Sequence, residues 1–359
     1  MAELSVPDLS APFSRSHADR SAVLLTGLHE LTCWHHAHCA DYARMLDGIY
    51  GQRAWLPPAS LMDVPYLPVR LFKHLELKSV PPEAVIRRLT SSGTTGQQVS
   101  RILLDAETAR LQVRALASIV QEFVGRQRLP MLVLDQQEIM GSHAGLNARA
   151  AGILGFANFG RQHTYALDAQ MQPKWSVIEA FCEQHRGGPV LLFGFTWVVW
   201  QHVVQQAIAA GRRLDFGKQS ILVHGGGWKK LTDLRIDNAT FKQVLSDRLN
   251  VGRISNYYGM VEQVGSIFME CEQGHLHAPA FADVRMRDLH TLQPAAHGAA
   301  EVFSLLPRSY PGHAILTEDV GTLLGEDGCG CGRRGTYFQI HGRIPQAELR
   351  GCSDVRAAA

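Results

Sequence analysis

The segment Thr90-Ser91-Ser92-Gly93-Thr94-Thr95-Gly96 crowds hydroxyl side chains around two glycines, directly after a strand-like run. Hydroxyls and backbone N–H groups packed in this way form an anion cradle, and the glycines let phosphate oxygens approach the backbone. The Lys-Ser/Thr ending of a Walker-type P-loop is missing. The same composition also makes an ordinary polar turn.

A second group is Asn256-Tyr257-Tyr258-Gly259-Met260-Val261-Glu262-Gln263. Its aromatic pair is suited to stacking on a purine. Glu262 is suited to Mg²⁺, which takes one or two carboxylates beside phosphate oxygens. In isolation, Glu262 reads as a solvated carboxylate after a Tyr-Gly turn. A third group holds soft donors: Cys271, His275 and His277, then Cys329 and Cys331. One histidine with the three thiols gives a Cys₃His set for structural zinc. His277, which begins a strand-like run, is preferred over His275, and free buried thiols are the alternative. The run Cys33-Trp34-His35-His36-Ala37-His38-Cys39 reads as a helix with partly exposed histidines, because only i, i+3 and i+4 positions share a helical face. Phe193, Phe195, Trp197 and Trp200 read as core, or as the wall of a tunnel for an apolar chain.

Composition limits what these groups serve. The 359 residues carry 35 basic and 33 acidic side chains, a net charge of +2, with 46% hydrophobic and 19% charged residues. That excludes a disordered chain and a polybasic nucleic-acid coat. Seven unevenly spaced cysteines argue for a reducing compartment rather than a disulfide framework. Glu3, Asp8 and Arg15 interrupt any signal-peptide core. The apolar heart of the longest uncharged stretch, Val190 to Trp200, is shorter than the roughly 20 residues of a membrane span. A cytoplasmic protein without a membrane span is expected.

The elements that position the groups follow from periodicity. Apolar spacing predicts helices over 22–50, 106–124, 145–154 and 197–210, and buried strands at 131–135, 189–195 and 220–226. Residues 57–85, rich in proline, are expected to wind over a core. Continuous apolar strands alternating with helices predict an α/β protein with a mostly parallel, doubly wound sheet. After Cys271 the pattern breaks into short strand-like pieces, a smaller β-rich subdomain. The expected organisation is an N-terminal helical and extended region over 1–85, a nucleotide-binding core over 86–270, the subdomain over 271–342 and a tail over 343–359.

The two motifs stand about 165 residues apart in this order, with Leu316-Thr317-Glu318-Asp319 and Gly342-Arg343 beyond them. Together they resemble the adenylate-forming superfamily of acyl-CoA synthetases and luciferases. The resemblance implies ATP phosphates held by Ser91, Ser92, Gly93, Thr94, Thr95 and Gly96, and an adenine site at Tyr257, Tyr258, Gly259 and Met260. It implies Mg²⁺ on Glu262, ribose hydroxyls on Asp319, and nucleotide contact by Arg343 at a hinge. The runs His224-Gly225-Gly226-Gly227-Trp228-Lys229-Lys230, Ser309-Tyr310-Pro311-Gly312-His313 and Glu348-Leu349-Arg350-Gly351-Cys352-Ser353-Asp354 look like the acyl-protein synthetase family. That likeness adds His224, Gly225 and Gly226 to the expected ATP site, His224 being equally a structural histidine.

Ordinary adenylate-forming ligases carry a further swivelling domain beyond the hinge arginine. Here 16 residues follow Arg343, so that domain is expected to be missing. In acyl-protein synthetases a cysteine of the C-terminal tail accepts the acyl group, and Cys352 matches it. The resemblance therefore implies a two-step ligase using ATP and Mg²⁺. A carboxylic acid, fatty by analogy, becomes an acyl-adenylate, then a thioester on Cys352. The acyl group passes to an NADPH-dependent acyl reductase or an acyl carrier protein. An acyl- or aryl-CoA ligase like phenylacetate-CoA ligase, and a non-catalytic acyl- or nucleotide-binding scaffold, are the alternatives.

Overall fold

The computed structural model describes residues 4–91, 98–141, 148–227, 231, 234 and 236–344. Ser92, Gly93, Thr94, Thr95 and Gly96 of the loop, and Cys352 of the tail, lie outside the described residues.

Fifteen strands are described: β1 Leu67–Pro68, β2 Arg87–Thr90, β3 Arg101–Leu104, β4 Leu129–Gln136 and β5 Gly160–Leu167. Then come β6 Leu191–Phe195, β7 Ile221–Gly225, β8 Arg253–Tyr258, β9 Phe268–Glu270 and β10 Leu276–His277. The last are β11 Ala282–Arg287, β12 Pro294–Ala295, β13 His297–Ser304, β14 Ala314–Glu326 and β15 Thr336–Arg343. One sheet runs in the order β12-β11-β13-β14-β15-β10-β9-β8-β7-β6-β4-β5, with β1 added along β14. Strands β5, β4, β6, β7 and β8 are mutually parallel. From β8 to β12 every pairing is antiparallel. The apolar runs at 131–135, 189–195 and 220–226 become the central strands β4, β6 and β7, and a strand covered on both faces must be apolar throughout.

Helices cover both faces. On one side, His17–His38, Ala106–Val124 and Ala148–Ala157 build a core with Phe193, Val223 and Phe268. On the other, Trp175–Gln184, the helical stretch 196–209 and Asn238–Leu249 pack on Leu192 and Leu222. Each fully buried Leu or Phe contributes about 2 kcal/mol of transfer free energy. The aromatic run at 193–200 is therefore divided between two cores, with Phe193 in one and Trp200 in the other.

Caps set the helix starts. Ser16 accepts the Asp19 N–H, and Asp105 accepts the Thr108 N–H at 2.8 Å, satisfying donors that a first turn leaves unpaired. The helical region predicted over 22–50 is two helices, His17–His38 and Ala40–Ile49, broken at Cys39, whose backbone is extended. Its histidines diverge. His35 is fully buried, against the expectation of exposure: Nε2–H donates to Pro307 O, and Nδ1 accepts from Ser79. His36 faces Asp47, and His38 stacks on Trp34. No helix of the described residues is long and apolar enough to cross a membrane.

The proline-rich segment lies along the antiparallel half. Leu67 and Pro68 pair in parallel with Ile315 and Leu316, and the Val69 N–H donates to Leu316 O at 2.9 Å. One helical turn, Leu71–His74, follows.

Candidate active site

Among the described residues, Tyr258, Glu262, Asp319 and Arg343 come together where the parallel and antiparallel halves meet. Strand β8 ends in Tyr257 and Tyr258, and one turn on, the short helix Val261–Gln263 carries Glu262. The Tyr258 hydroxyl donates to Asp319 Oδ2 at 2.7 Å, joining the end of β8 to the middle of β14. Asp319 stands opposite Arg343 in the β14–β15 register, with Arg343 Nε 3.9 Å from Oδ1. Its backbone N–H donates to Thr317, whose hydroxyl is anchored on Ala300 O. Burial raises the Asp319 pKa, opposed by the Tyr258 hydrogen bond and the Arg343 charge. Burial, then the Asp319 charge, push the Tyr258 phenol well above its usual range, so it stays a neutral donor.

Glu262 is only 6% exposed. Burial raises its pKa, while Ser100, Lys73 and Arg343 work to keep it ionised. The Ser100 hydroxyl faces the carboxylate without closing a tight hydrogen bond. Ser100 also closes the neck of the β2–β3 hairpin, its N–H donating to Ser91 Oγ at 2.9 Å and its carbonyl accepting the Ser91 N–H. Ser91 and Ser100 are therefore held to each other, with Ser100 beside Glu262.

Two contributions have no motif in the sequence. Arg70 pairs with Glu318, and one turn later Lys73 brings its charge within range of Glu262. Phe72 fixes that turn, fully buried and edge-on to Tyr310 with ring centroids 6.2 Å apart. The only hint in the sequence was a pair of cations in a proline-rich run. Their partners lie some 190 to 250 positions away, beyond the reach of spacing arguments.

The run Ser309–His313 acts as a bracket. Gln263 donates to Gly312 O at 3.0 Å and to Val302 O at 3.2 Å, holding the turn that presents Glu262. A Cβ at Gly312 would sit 2.7 Å from Glu262 O and 2.3 Å from the Tyr310 ring, so glycine is needed for the approach. His313 is buried, its Nε2–H donating to Thr32, and desolvation pushes its pKa down to about 3. It serves as a neutral structural group.

Gly225 lets the Tyr257 ring lie across the end of β7, because a Cβ there would meet the ring at 2.3 Å. Tyr257 packs on Phe156 and Phe193. His224 points to the opposite face, fully buried against Phe241. The Thr196 hydroxyl is committed to Gly225 O, so His224 Nδ1–H donates to Thr196. Desolvation lowers the His224 pKa to about 3. Gly226 adopts φ +98 where β7 ends, and Gly259 and Met260 link Tyr258 to the Glu262 turn.

Away from this site, donor atoms of Cys271, His277, Cys329 and Cys331 all lie within 4.8 Å of one another. His275 lies beside this set, its Nδ1 3.3 Å from Cys329 Sγ.

Comparison with known proteins agrees with this architecture. The family model for acyl-protein synthetase, LuxE, matches residues 6–359. The long-chain-fatty-acid–luciferin-component ligase of Vibrio harveyi is 23% identical over 328 residues, covering 82% of this chain and 77% of that protein. Its counterpart from Aliivibrio fischeri is 24% identical over 276 residues, covering 73% and 69%. Among solved structures, 2-hydroxyisobutyryl-CoA ligase with 2-HIB-AMP and CoA superposes with a TM-score of 0.64 at 15% identity, over 93% of this chain and 77% of that one. The same ligase in its postadenylation state gives 0.66, over 92% and 69%. At that identity the likeness establishes the fold, that of the large N-terminal domain of adenylate-forming ligases. With the family model spanning nearly its whole length, this chain belongs to the acyl-protein synthetase (LuxE) family.

Proposed function

We propose that this protein activates a fatty or related carboxylic acid with ATP and carries the acyl group as a thioester on Cys352. The substrate carboxylate attacks the α-phosphorus, the α–β bridging bond breaks, and acyl-adenylate and pyrophosphate form. The Cys352 thiolate then attacks the acyl carbon, AMP leaves, and the thioester remains activated for transfer. The final acceptor is a thiol of an acyl reductase or carrier protein, in a reducing cytoplasm.

The observation that carries the reading is the convergence of Tyr258, Asp319, Arg343, Glu262 and the Ser91–Ser100 neck from four separate segments. Asp319 is offered to the ribose hydroxyls, which compete with the Tyr258 phenol for its oxygens. Hydroxyls and backbone N–H groups of the Ser/Thr/Gly run hold the phosphates, and Arg343 adds positive charge beside the nucleotide. Glu262 is the carboxylate for Mg²⁺, which when bound offsets charge on the phosphate oxygens. Residues 86–270 then supply the adenine and phosphate contacts, and 271–342 the ribose contact.

The test is pyrophosphate release with Mg·ATP and a panel of fatty and aromatic acids, read beside intact mass. Release that depends on one class of acid, with an acyl adduct on the protein, is expected. Release with no adduct unless CoA is added would replace this reading with that of a CoA ligase. Silence with every acid would leave a binding scaffold.

Lys73→Met keeps the aliphatic stem and removes the charge. Because Lys73 lowers the Glu262 pKa, the variant's Glu262 should titrate at higher pH. Pyrophosphate release near neutrality should fall about tenfold, the scale of one lost charge-assisted contact. The acid limb of the pH profile should move upward, and Lys73→Arg should restore it. An unmoved acid limb would separate Lys73 from Glu262.

A further inference from the structure

We propose that Cys271, His277, Cys329 and Cys331 bind one zinc ion, and that this ion ties the short strands β9 and β10, which join the two halves of the sheet, to the β14–β15 turn. Distances, turns and position argue for it independently of the acid-activation reading.

A tetrahedral site with Zn–S bonds of about 2.3 Å and a Zn–N bond of about 2.05 Å has S···S edges of about 3.8 Å and S···N edges of about 3.6 Å. The Cys271 and Cys329 sulfurs are 3.8 Å apart, and Cys331 Sγ is 3.3 Å from His277 Nε2. A disulfide would need about 2.05 Å, so these are thiols at the spacing of ligands sharing one ion. Three sulfurs and an imidazole form a closed, soft set of the kind that selects zinc, and hard cations have no oxygen donor among these four.

The backbone is turned to suit an ion. The Gln273 N–H donates to Cys271 Sγ at 3.4 Å, and Gly274, at φ +77, closes a turn onto Cys271 O. Gly332, at φ +81, closes the matching turn onto Cys329 O. His275 Nδ1, 3.3 Å from Cys329 Sγ, is placed as an outer donor to a ligand sulfur rather than as a ligand. The His277 ring lies on Tyr337 with centroids 5.9 Å apart, which fixes its orientation. Three thiolates around Zn²⁺ carry a net −1. Arg333 lies two residues beyond Cys331, its guanidinium 4.1 Å from the Phe123 ring centroid and paired with Glu272.

Position gives the ion its task. Among the described strands, the two halves of the sheet are joined only through β9, three residues long, and β10, two residues long. Strand β10 pairs with β9 through two residues and with β15 through two. Ladders this short hold poorly by themselves. Cys271 follows β9, His277 ends β10, and Cys329 and Cys331 lie in the turn between β14 and β15. The ion thus lies at the turn end of β14 and β15, and the Tyr258–Asp319 hydrogen bond crosses the same junction from the middle of β14.

Elemental analysis of the native protein should give about one zinc per chain. Co²⁺ exchanged into the native protein should show the intense visible bands and thiolate charge transfer of a tetrahedral sulfur-rich site. Cys329→Ser and His277→Ala should lose the metal, whereas His275→Ala should retain it. Stripping the ion should lower the unfolding temperature and make Cys271, Cys329 and Cys331 reactive to a thiol reagent. A folded native protein that contains no zinc, takes up no tetrahedral cobalt and titrates all three thiols would overturn the proposal. These native-protein measurements stand even where a variant fails to fold. Zinc retained in His277→Ala and lost in His275→Ala would overturn the ligand assignment.

Discussion

Cys352→Ser is expected to release pyrophosphate at close to the wild-type rate on the first turnover and to carry no acyl adduct. The adenylation groups, Glu262, Asp319 and Arg343, are untouched by the change. The second step loses its nucleophile, because an alcohol is hardly ionised at neutral pH whereas a few per cent of an ordinary thiol is thiolate. Loss of adduct should exceed about 1,000-fold, in the range found on removing an essential nucleophile. Intact mass after incubation with Mg·ATP and acid reads it, and neutral hydroxylamine should strip the wild-type adduct as it does a thioester. Cys33 is the control: among the described cysteines it is the one classed as exposed, and Cys33→Ser should leave the adduct in place. An adduct that survives in Cys352→Ser and disappears in Cys33→Ser would move the acceptor. Pyrophosphate release with no adduct on either protein would remove Cys352 from the mechanism.

The second large effect is expected at Asp319. Its carboxylate accepts from Tyr258 at 2.7 Å, faces Arg343 and is 21% exposed, so its oxygens are available to a pair of ribose hydroxyls. Two hydrogen bonds to a charged acceptor are worth about 3 kcal/mol or more together. Asp319→Ala should therefore lower kcat/KM for ATP by about 100-fold. Tyr258→Phe separates ligand binding from structure. It removes the same internal hydrogen bond but leaves the carboxylate free for ribose, so its loss should stay below about fivefold. Unfolding temperature measured for both variants checks the comparison. Equal losses in the two would make Asp319 a structural partner of Tyr258 rather than a ribose ligand.

Local pattern was enough to locate β4, β6 and β7, three of the five parallel strands. Met131–Leu134, Leu191–Phe195 and Ile221–Val223 are continuous apolar runs because helices cover both faces, and that demand is written into consecutive residues. The helix over Ala106–Val124 was equally visible from apolar residues at helical spacing. The order of the Ser/Thr/Gly, Tyr-Gly, Asp319 and Arg343 motifs carried the family resemblance, because each is a short run whose residue types serve one job.

Tertiary structure decided what those runs face. Spacing left Glu262 between a solvated carboxylate and a metal ligand; the fold buries it with Ser100, Lys73 and Arg343 as neighbours. Lys73 carried no motif, since its role depends on one turn of chain pinned by Phe72 against Tyr310. His224, at the end of an apolar strand, was legible as a candidate, but strand alternation sends it to the face opposite Tyr257. The choice between His275 and His277 depended on which ring the β10–β15 register brings to Cys331. Secondary structure is a local property, set by side chains within a few residues of one another. Burial and charge neighbours are set by segments hundreds of positions apart, and only the folded chain brings them together.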